Sequence, residues 1–235
     1  MNFIKVKDYN ALSVHAAEII CAQVNSKPNS VLGLATGSTP IGAYEQIREM
    51  YKRGEVDFSA VKTINLDEYV GLSPENAQSY RYFMNNQLFN GINIAKENTH
   101  LPDGMSNTVD DECARYERLI DSLGPIDLQL LGIGNNGHIG FNEPGDFFIK
   151  ECHCTQLAAK TIEANSRFFD TIDEVPKKAI TVGMGTVMAA KKVLLIAAGK
   201  EKAEIINKAL TGKITPQVPA SILQFHADLT VVVSP

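Results

Sequence analysis

His138 and Glu143 lie five positions apart in the segment Gly132-Ile-Gly-Asn-Asn-Gly-His-Ile-Gly-Phe-Asn-Glu143-Pro-Gly145. An imidazole titrates near neutrality, and a carboxylate close to it can set its orientation and charge, so this pair is suited to moving protons. A single histidine is more often a satisfied structural residue. One framed by glycines, with an acid five residues on, is harder to assign to packing. Gly132, Gly134 and Gly137 also spell G-x-G-x-x-G, the fingerprint of a dinucleotide site. That fingerprint has to open a helix, whereas this run passes into Phe141-Asn-Glu-Pro-Gly145, which is turn chemistry. The nucleotide reading is the weaker one.

Other places along the chain also carry reactive or charged groups. Thr36-Gly37-Ser38-Thr39-Pro40 offers backbone N–H groups, hydroxyls and the start of a helix, where the helix dipole favours an anion such as phosphate. The same residues also suit a plain strand–turn–helix in which Ser and Thr only cap. No Gly-Lys-Ser/Thr follows, so the loop is not a nucleotide P-loop. Asp67 and Glu68 are adjacent carboxylates that cannot both point the same way. One is expected to face a cleft, where desolvation raises its pKa towards that of a general base, and the other to make a structural bond. Surface carboxylates are the commoner explanation of such a pair. Arg167 and Lys202 are solvated charges when taken singly, and counter-charges for a phosphate if the fold brings them to the Thr36–Pro40 loop. Cys152-His153-Cys154 is too tightly spaced for a zinc site and lacks a second ligand pair, so it reads as a partly buried strand bearing small thiols.

These groups need a scaffold, and the apolar periodicity supplies one. Helical spacing marks Asp8 to Ser26, a helix running from Thr39 as N-cap with Pro40 at its first position to about Arg53, Thr108 to Leu123, a short turn of helix near Gly185 to Ala190, and Lys200 to Leu210. Short apolar runs mark strands at Ser30–Ala35, Val61–Leu66, Ile126–Ile133, Ala179–Val182, Val193–Ala198 and Leu229–Val233. Apolar strands alternating with helices predict an α/β fold, a mostly parallel sheet with helices on both faces. No repeat or linker divides the chain, so a single domain over residues 1–235 is expected. The long irregular stretch from Glu143 to Thr161 suggests a lid over about residues 145–180. In such a sheet ligands gather beyond the carboxyl ends of the strands. Thr36–Pro40, Asp67, Gly132–Glu143 and Lys202 each follow a strand, so all fall on one rim. This coincidence is the strongest physical argument for a single site.

Composition narrows the function. The 235 residues are 44% apolar and 21% charged with net charge −5, ordinary for a globular protein. No block of Lys and Arg appears, which speaks against nucleic acid or an anionic membrane as the main partner. The opening MNFIKVKDYN lacks the apolar core of a signal peptide, and four scattered cysteines fit reduced thiols, so a cytoplasmic protein is expected.

LGLATGSTP, NLDEYVGL, GIGNNGHIGFNEPG, NSRFF and the late Gly-Lys-Glu-Lys-Ala, in that order between Val31 and Ser234, resemble the motifs of the glucosamine-6-phosphate deaminases. The resemblance implies a Rossmann-like sheet shared with the phosphogluconolactonases. It implies conversion of glucosamine 6-phosphate and water to fructose 6-phosphate and ammonia, without a cofactor or metal. By position, His138 would open the sugar ring with Glu143 orienting it, and Asp67 would carry the proton from C2 to C1. Thr36, Gly37, Ser38, Thr39, Arg167 and Lys202 would hold the phosphate. Two departures stand out. Asn136 occupies a position where many members carry an aspartate, a loss that favours the neutral imidazole at His138. The chain also stops at Pro235, short of the tail of hexameric, allosterically activated members, and Asp146–Cys154 lacks the basic residues of their activator site. A monomer or small homo-oligomer, not activated by N-acetylglucosamine 6-phosphate, is therefore expected. A phosphogluconolactonase has no use for a base at Asp67 and ranks second; a non-catalytic sugar-phosphate sensor and a dinucleotide oxidoreductase follow.

Overall fold

In the computed structural model, which describes residues 1–157, 162, 166, 171 and 174–235, parallel strands alternate with helices through most of the chain. In chain order the elements begin with β1 (Asn2–Lys5), α1 (Tyr9–Ser26), β2 (Val31–Leu34), α2 (Ile41–Lys52), β3 (Lys62–Asn65) and β4 (Asp67–Tyr69). They continue with α3 (Tyr80–Gln87), β5 (Thr99–His100), α4 (Val109–Leu123), β6 (Leu128–Leu131) and β7 (His153–Gln156). The last are β8 (Lys178–Thr181), α5 (Met184–Ala189), β9 (Val193–Ala198), α6 (Lys202–Thr211) and β10 (Leu229–Ser234).

Seven strands form the main sheet in the order β1-β10-β9-β6-β2-β3-β5, and each neighbouring pair is parallel. Central strands β2 and β6 are buried along their whole length, as their continuous apolar runs require of a sheet covered on both faces. From β2 the chain steps outward through β3 to β5, then returns to β6 on the other side of β2 and steps outward again through β9 to β10. Right-handed crossovers in opposite directions place their helices on opposite faces. The reversal lies between β2 and β6.

A second, three-stranded sheet, β4-β8-β7, is antiparallel. Only Leu66 separates β3 from β4, so the chain leaves one sheet and enters the other within a single residue. Leu66 itself spans the junction: its N–H donates to Leu34 O on β2, and its carbonyl accepts from Val182 N. Tyr116, fully buried on α4, donates its hydroxyl to Asn65 O at 2.8 Å and pins the end of β3.

The structure corrects the expected elements in several places. Helix α2 begins at Ile41, with Pro40 as its cap residue and no capping bond from Thr39. Strands β1, β4 and β5 and helix α3 had no counterpart in the sequence reading, whereas β7 falls on the partly buried strand expected at Cys152–Cys154. β1 is a mostly exposed edge strand, and β4 and β5 have three and two residues, too few to show a period. The supposedly irregular Glu143–Thr161 stretch contains β7, which carries His153 and Cys154 with buried Cys152 just before it. Part of the expected lid lies outside the described residues. Among those residues no helix is long and apolar enough to cross a membrane.

Candidate active site

A cleft of about 630 Å³ opens at the carboxyl ends of the parallel strands, over the reversal between β2 and β6. This is where an open α/β sheet parts its connections and leaves room for a ligand. Thr36 to Pro40 enter it after β2, Asp67 after β3, Gly132 to Asn136 and His138 after β6, and Lys202 after β9. Four strand ends widely spaced in sequence thus converge on one cavity. Arg167 lies outside the described residues.

Asp67 is 5% exposed, and its carboxyl is raised to about 8, first by desolvation and second by the negative charge of Glu68. The two carboxylates divide as their alternation on β4 requires. Glu68 turns away from the cleft and accepts from Tyr69 N, Tyr80 N and Arg81 N, each at 2.9 Å. The last two are the first N–H groups of α3, so Glu68 acts as an anion at that helix start and docks α3 beside the cleft. Burial raises the Glu68 carboxyl while these three bonds and Arg81 pull it down.

His138 and Glu143 meet as their spacing suggested. His138 Nδ1 lies 3.3 Å from Glu143 Oε1, within ion-pair range but short of hydrogen-bond alignment. The glycines around them have a steric reason: a Cβ on Gly134 would stand 2.3 Å from the imidazole ring. Asn136 links the pair. Its Nδ2 donates to Glu143 Oε2 at 2.6 Å, and its Oδ1 accepts from the backbone N–H of His138 at 3.1 Å. The loop is tied down from the other side by Phe141 N donating to Thr181 Oγ1 on β8 and by Asn142 Nδ2 donating to Val182 O.

Lys202, the first residue of α6, donates to Ile133 O at 2.9 Å and to Asn135 Oδ1 at 2.6 Å, and desolvation lowers its pKa. Its ammonium is thereby aimed across the glycine loop into the cleft. The opposite wall is aromatic. Tyr80 and Phe141 stack with centroids 6.0 Å apart, Tyr69 tilts against both, and the Tyr80 hydroxyl donates to the Tyr69 hydroxyl at 3.2 Å. Sequence reasoning missed this wall. Ser79, whose hydroxyl accepts from Tyr82 N, is an N-cap signal that could have placed α3, though not its position beside Asp67.

A family model described as glucosamine-6-phosphate isomerases/6-phosphogluconolactonase matches residues 7–232. The chain belongs to that family. Among relatives in it, the glucosamine-6-phosphate deaminase of Lachnoclostridium phytofermentans is 61% identical, with 99% of this chain and 98% of the relative aligned. That of Thermoanaerobacter pseudethanolicus is 54% identical, covering 99% and 92%. A solved structure of a monomeric glucosamine-6-phosphate deaminase superposes with TM-score 0.97 at 44% identity, covering 100% of this chain and 97% of that one. The 6-phosphogluconolactonase of Thermotoga maritima superposes at 0.79 with 21% identity and shares the fold. A glucosamine-6-phosphate isomerase/6-phosphogluconolactonase fold therefore positions all the described cleft groups. Among the described residues no cluster of His, Cys, Asp and Glu is arranged to hold a metal ion.

Proposed function

We propose that this chain is a glucosamine-6-phosphate deaminase, converting glucosamine 6-phosphate and water to fructose 6-phosphate and ammonia. The observation that carries the reading is Asp67: a buried cleft carboxyl raised to about 8, beside a His138–Glu143 pair. Proton abstraction next to a carbonyl calls for a base of about this strength. Deamination at an amino sugar begins with ring opening, for which His138 moves the proton between the ring oxygen and the anomeric hydroxyl while Glu143 holds its charge. Asp67 then removes the proton from C2 of the open-chain aldehyde and delivers it to C1. As a proton of the C2 ammonium passes to the C1 oxygen, the aldehyde becomes a C1 alcohol and the C2 ammonium an iminium, which water cleaves to ketone and ammonia. Thr36, Gly37, Ser38, Thr39, Lys202 and Arg167 hold the phosphate. Every step moves protons between positioned groups and the substrate.

The reading also has a subunit and a compartment. The similarity to a monomeric deaminase over its whole length supports a monomer. A phosphorylated amino sugar is retained inside the cell, which supports a cytoplasmic role in amino-sugar breakdown. The decisive assay follows ammonia and fructose 6-phosphate from glucosamine 6-phosphate, with 6-phosphogluconolactone as the competing substrate. Equimolar ammonia and ketose are expected. A folded enzyme that hydrolyses the lactone and leaves the amino sugar untouched would overturn the assignment.

A further inference from the structure

Helix α2 starts without a side-chain cap from its own loop, its first N–H, that of Ile41, reaching Ser38 O at 3.4 Å. Its cap residue is Pro40, which has no N–H and no side-chain cap, and Thr39 makes no capping bond. The missing cap comes from another element. Tyr9, the first residue of α1, places its hydroxyl where it accepts from Gly42 N at 2.9 Å and lies 3.1 Å from both Ser38 O and Thr39 O. A phenol has one proton to donate and room to accept, and here both are committed to the loop and the helix start.

We propose that Tyr9 is a positioning residue for the Thr36–Pro40 loop, and that it tunes affinity for the substrate's phosphate from outside the cleft. This rests on the reading of that loop as the phosphate site. Two consequences of the geometry support it. A trans peptide sends its C=O and the following N–H in opposite directions. Holding Ser38 O on Tyr9 therefore turns the Thr39 N–H away from α1. An ordinary helix start would also spend a Ser or Thr hydroxyl on capping. Because Tyr9 serves Gly42 N instead, no described residue engages the Ser38 and Thr39 hydroxyls, and both residues line the cleft. The close approach of α1 is built into the sequence at Gly42. A Cβ there would stand 2.3 Å from Ser13 Oγ and 3.1 Å from the Tyr9 ring.

Tyr9→Phe tests this, because Tyr9 is 40% exposed and the variant keeps the ring that packs on Gly42. Three quantities are read side by side in wild type and variant: kcat, KM for glucosamine 6-phosphate, and the inhibition constant of inorganic phosphate. The expected result is a rise of about fivefold in both KM and the phosphate constant, with kcat within about twofold. A role limited to fold stability would lower Tm and leave both constants unchanged, which overturns the proposal. A fall in kcat with both constants intact overturns it too, by tying Tyr9 to the chemistry. A wild type that turns over but ignores phosphate would remove the loop reading and this proposal with it. A phosphate-sensitive wild type beside an unaltered variant removes the proposal alone.

Discussion

Two buried aspartates sit at opposite rims of the same sheet and experience opposite electrostatics. Asp127, 2% exposed just before β6, accepts from Lys27 Nζ at 2.6 Å, Lys191 Nζ at 2.8 Å and Val31 N at 2.9 Å. Burial pushes its pKa up, but these three donors pull harder and leave it below the usual carboxylate range. Asp67, 5% exposed at the other end of β3, receives no hydrogen bond from a described residue and has Glu68 beside it, so burial wins and its carboxyl rises to about 8. The amino-end rim is built to be satisfied. The carboxyl-end rim keeps one group short of partners, and a proton-transfer base has to be such a group. Unmet demand, rather than burial alone, separates the two carboxylates, and the base role proposed for Asp67 depends on it.

The largest test of this contrast is Asp67→Asn. With the proposed base removed, turnover should fall by about 10²–10⁴-fold, read as ammonia release, while affinity for inorganic phosphate stays within about twofold. Its stability should move the other way. Asp67 titrates near 8 in the folded chain and near ~3.9 unfolded. Between those values the folded state holds a proton that the unfolded state has released, so this group lowers stability as pH rises from about 4 to 8. Asn abolishes the penalty, and the variant should gain about 1–3 kcal/mol at pH 8 and little at pH 4. Denaturant titrations at both pH values measure it; an equal gain at both would mean that the carboxylate charge is not the source. In the wild type the same ionisation should make kcat/KM climb towards pH 8.

Asp127→Asn should do the reverse. Its folded pKa is depressed, so it contributes stability above the unfolded value near ~3.9 that is lost as pH falls through the lower folded value. Lys27 and Lys191 remain 40% and 53% exposed, so water shares their charge and the loss is modest. About 1–3 kcal/mol at pH 7, shrinking in acid, is expected, with kcat and KM unchanged. A variant as stable as wild type at neutral pH would show that the three donors at Asp127 add nothing.

Much of this contrast was readable before the structure. The alternation of apolar strands and helices gave the parallel sheet, and the strand-end rule brought Thr36–Pro40, Asp67, Gly132–Glu143 and Lys202 to one rim. That one of Asp67 and Glu68 would face the cleft and the other make a structural bond followed from their adjacency at a strand end; which did which did not. What escaped depends on short or distant pairing. β4 has three residues and is a strand only because β8, more than a hundred positions later, pairs with it. Tyr80 is a core-like aromatic in sequence and a cleft wall only once Glu68 docks α3. Tyr9 looks like an ordinary apolar position of α1, and the expected Thr39 cap concealed its hydroxyl's role. Apolar period says which face is buried; it does not say which polar tip reaches across to another element.

Asn136 offers the smallest and most selective test, because Asn136→Asp adds one charge beside the His138–Glu143 pair. Its amide now donates to Glu143 Oε2 at 2.6 Å. In Asn136→Asp that donor becomes an acceptor and two carboxyl groups share the space, so one must hold a proton or the pair must part. The added negative charge also favours the protonated imidazole of His138, 3.3 Å from the same carboxylate. Ring opening that depends on the neutral imidazole should therefore slow at lower pH and recover at higher pH. Relative to wild type, kcat/KM of the variant should fall about three- to tenfold at pH 6.5 and approach parity at pH 8.5, the modest effect of one added charge near a partly exposed pair. Dividing variant by wild type at each pH isolates what the added charge does. A ratio flat across that range would show that Asn136 sets the geometry of the loop and not the charge of the histidine.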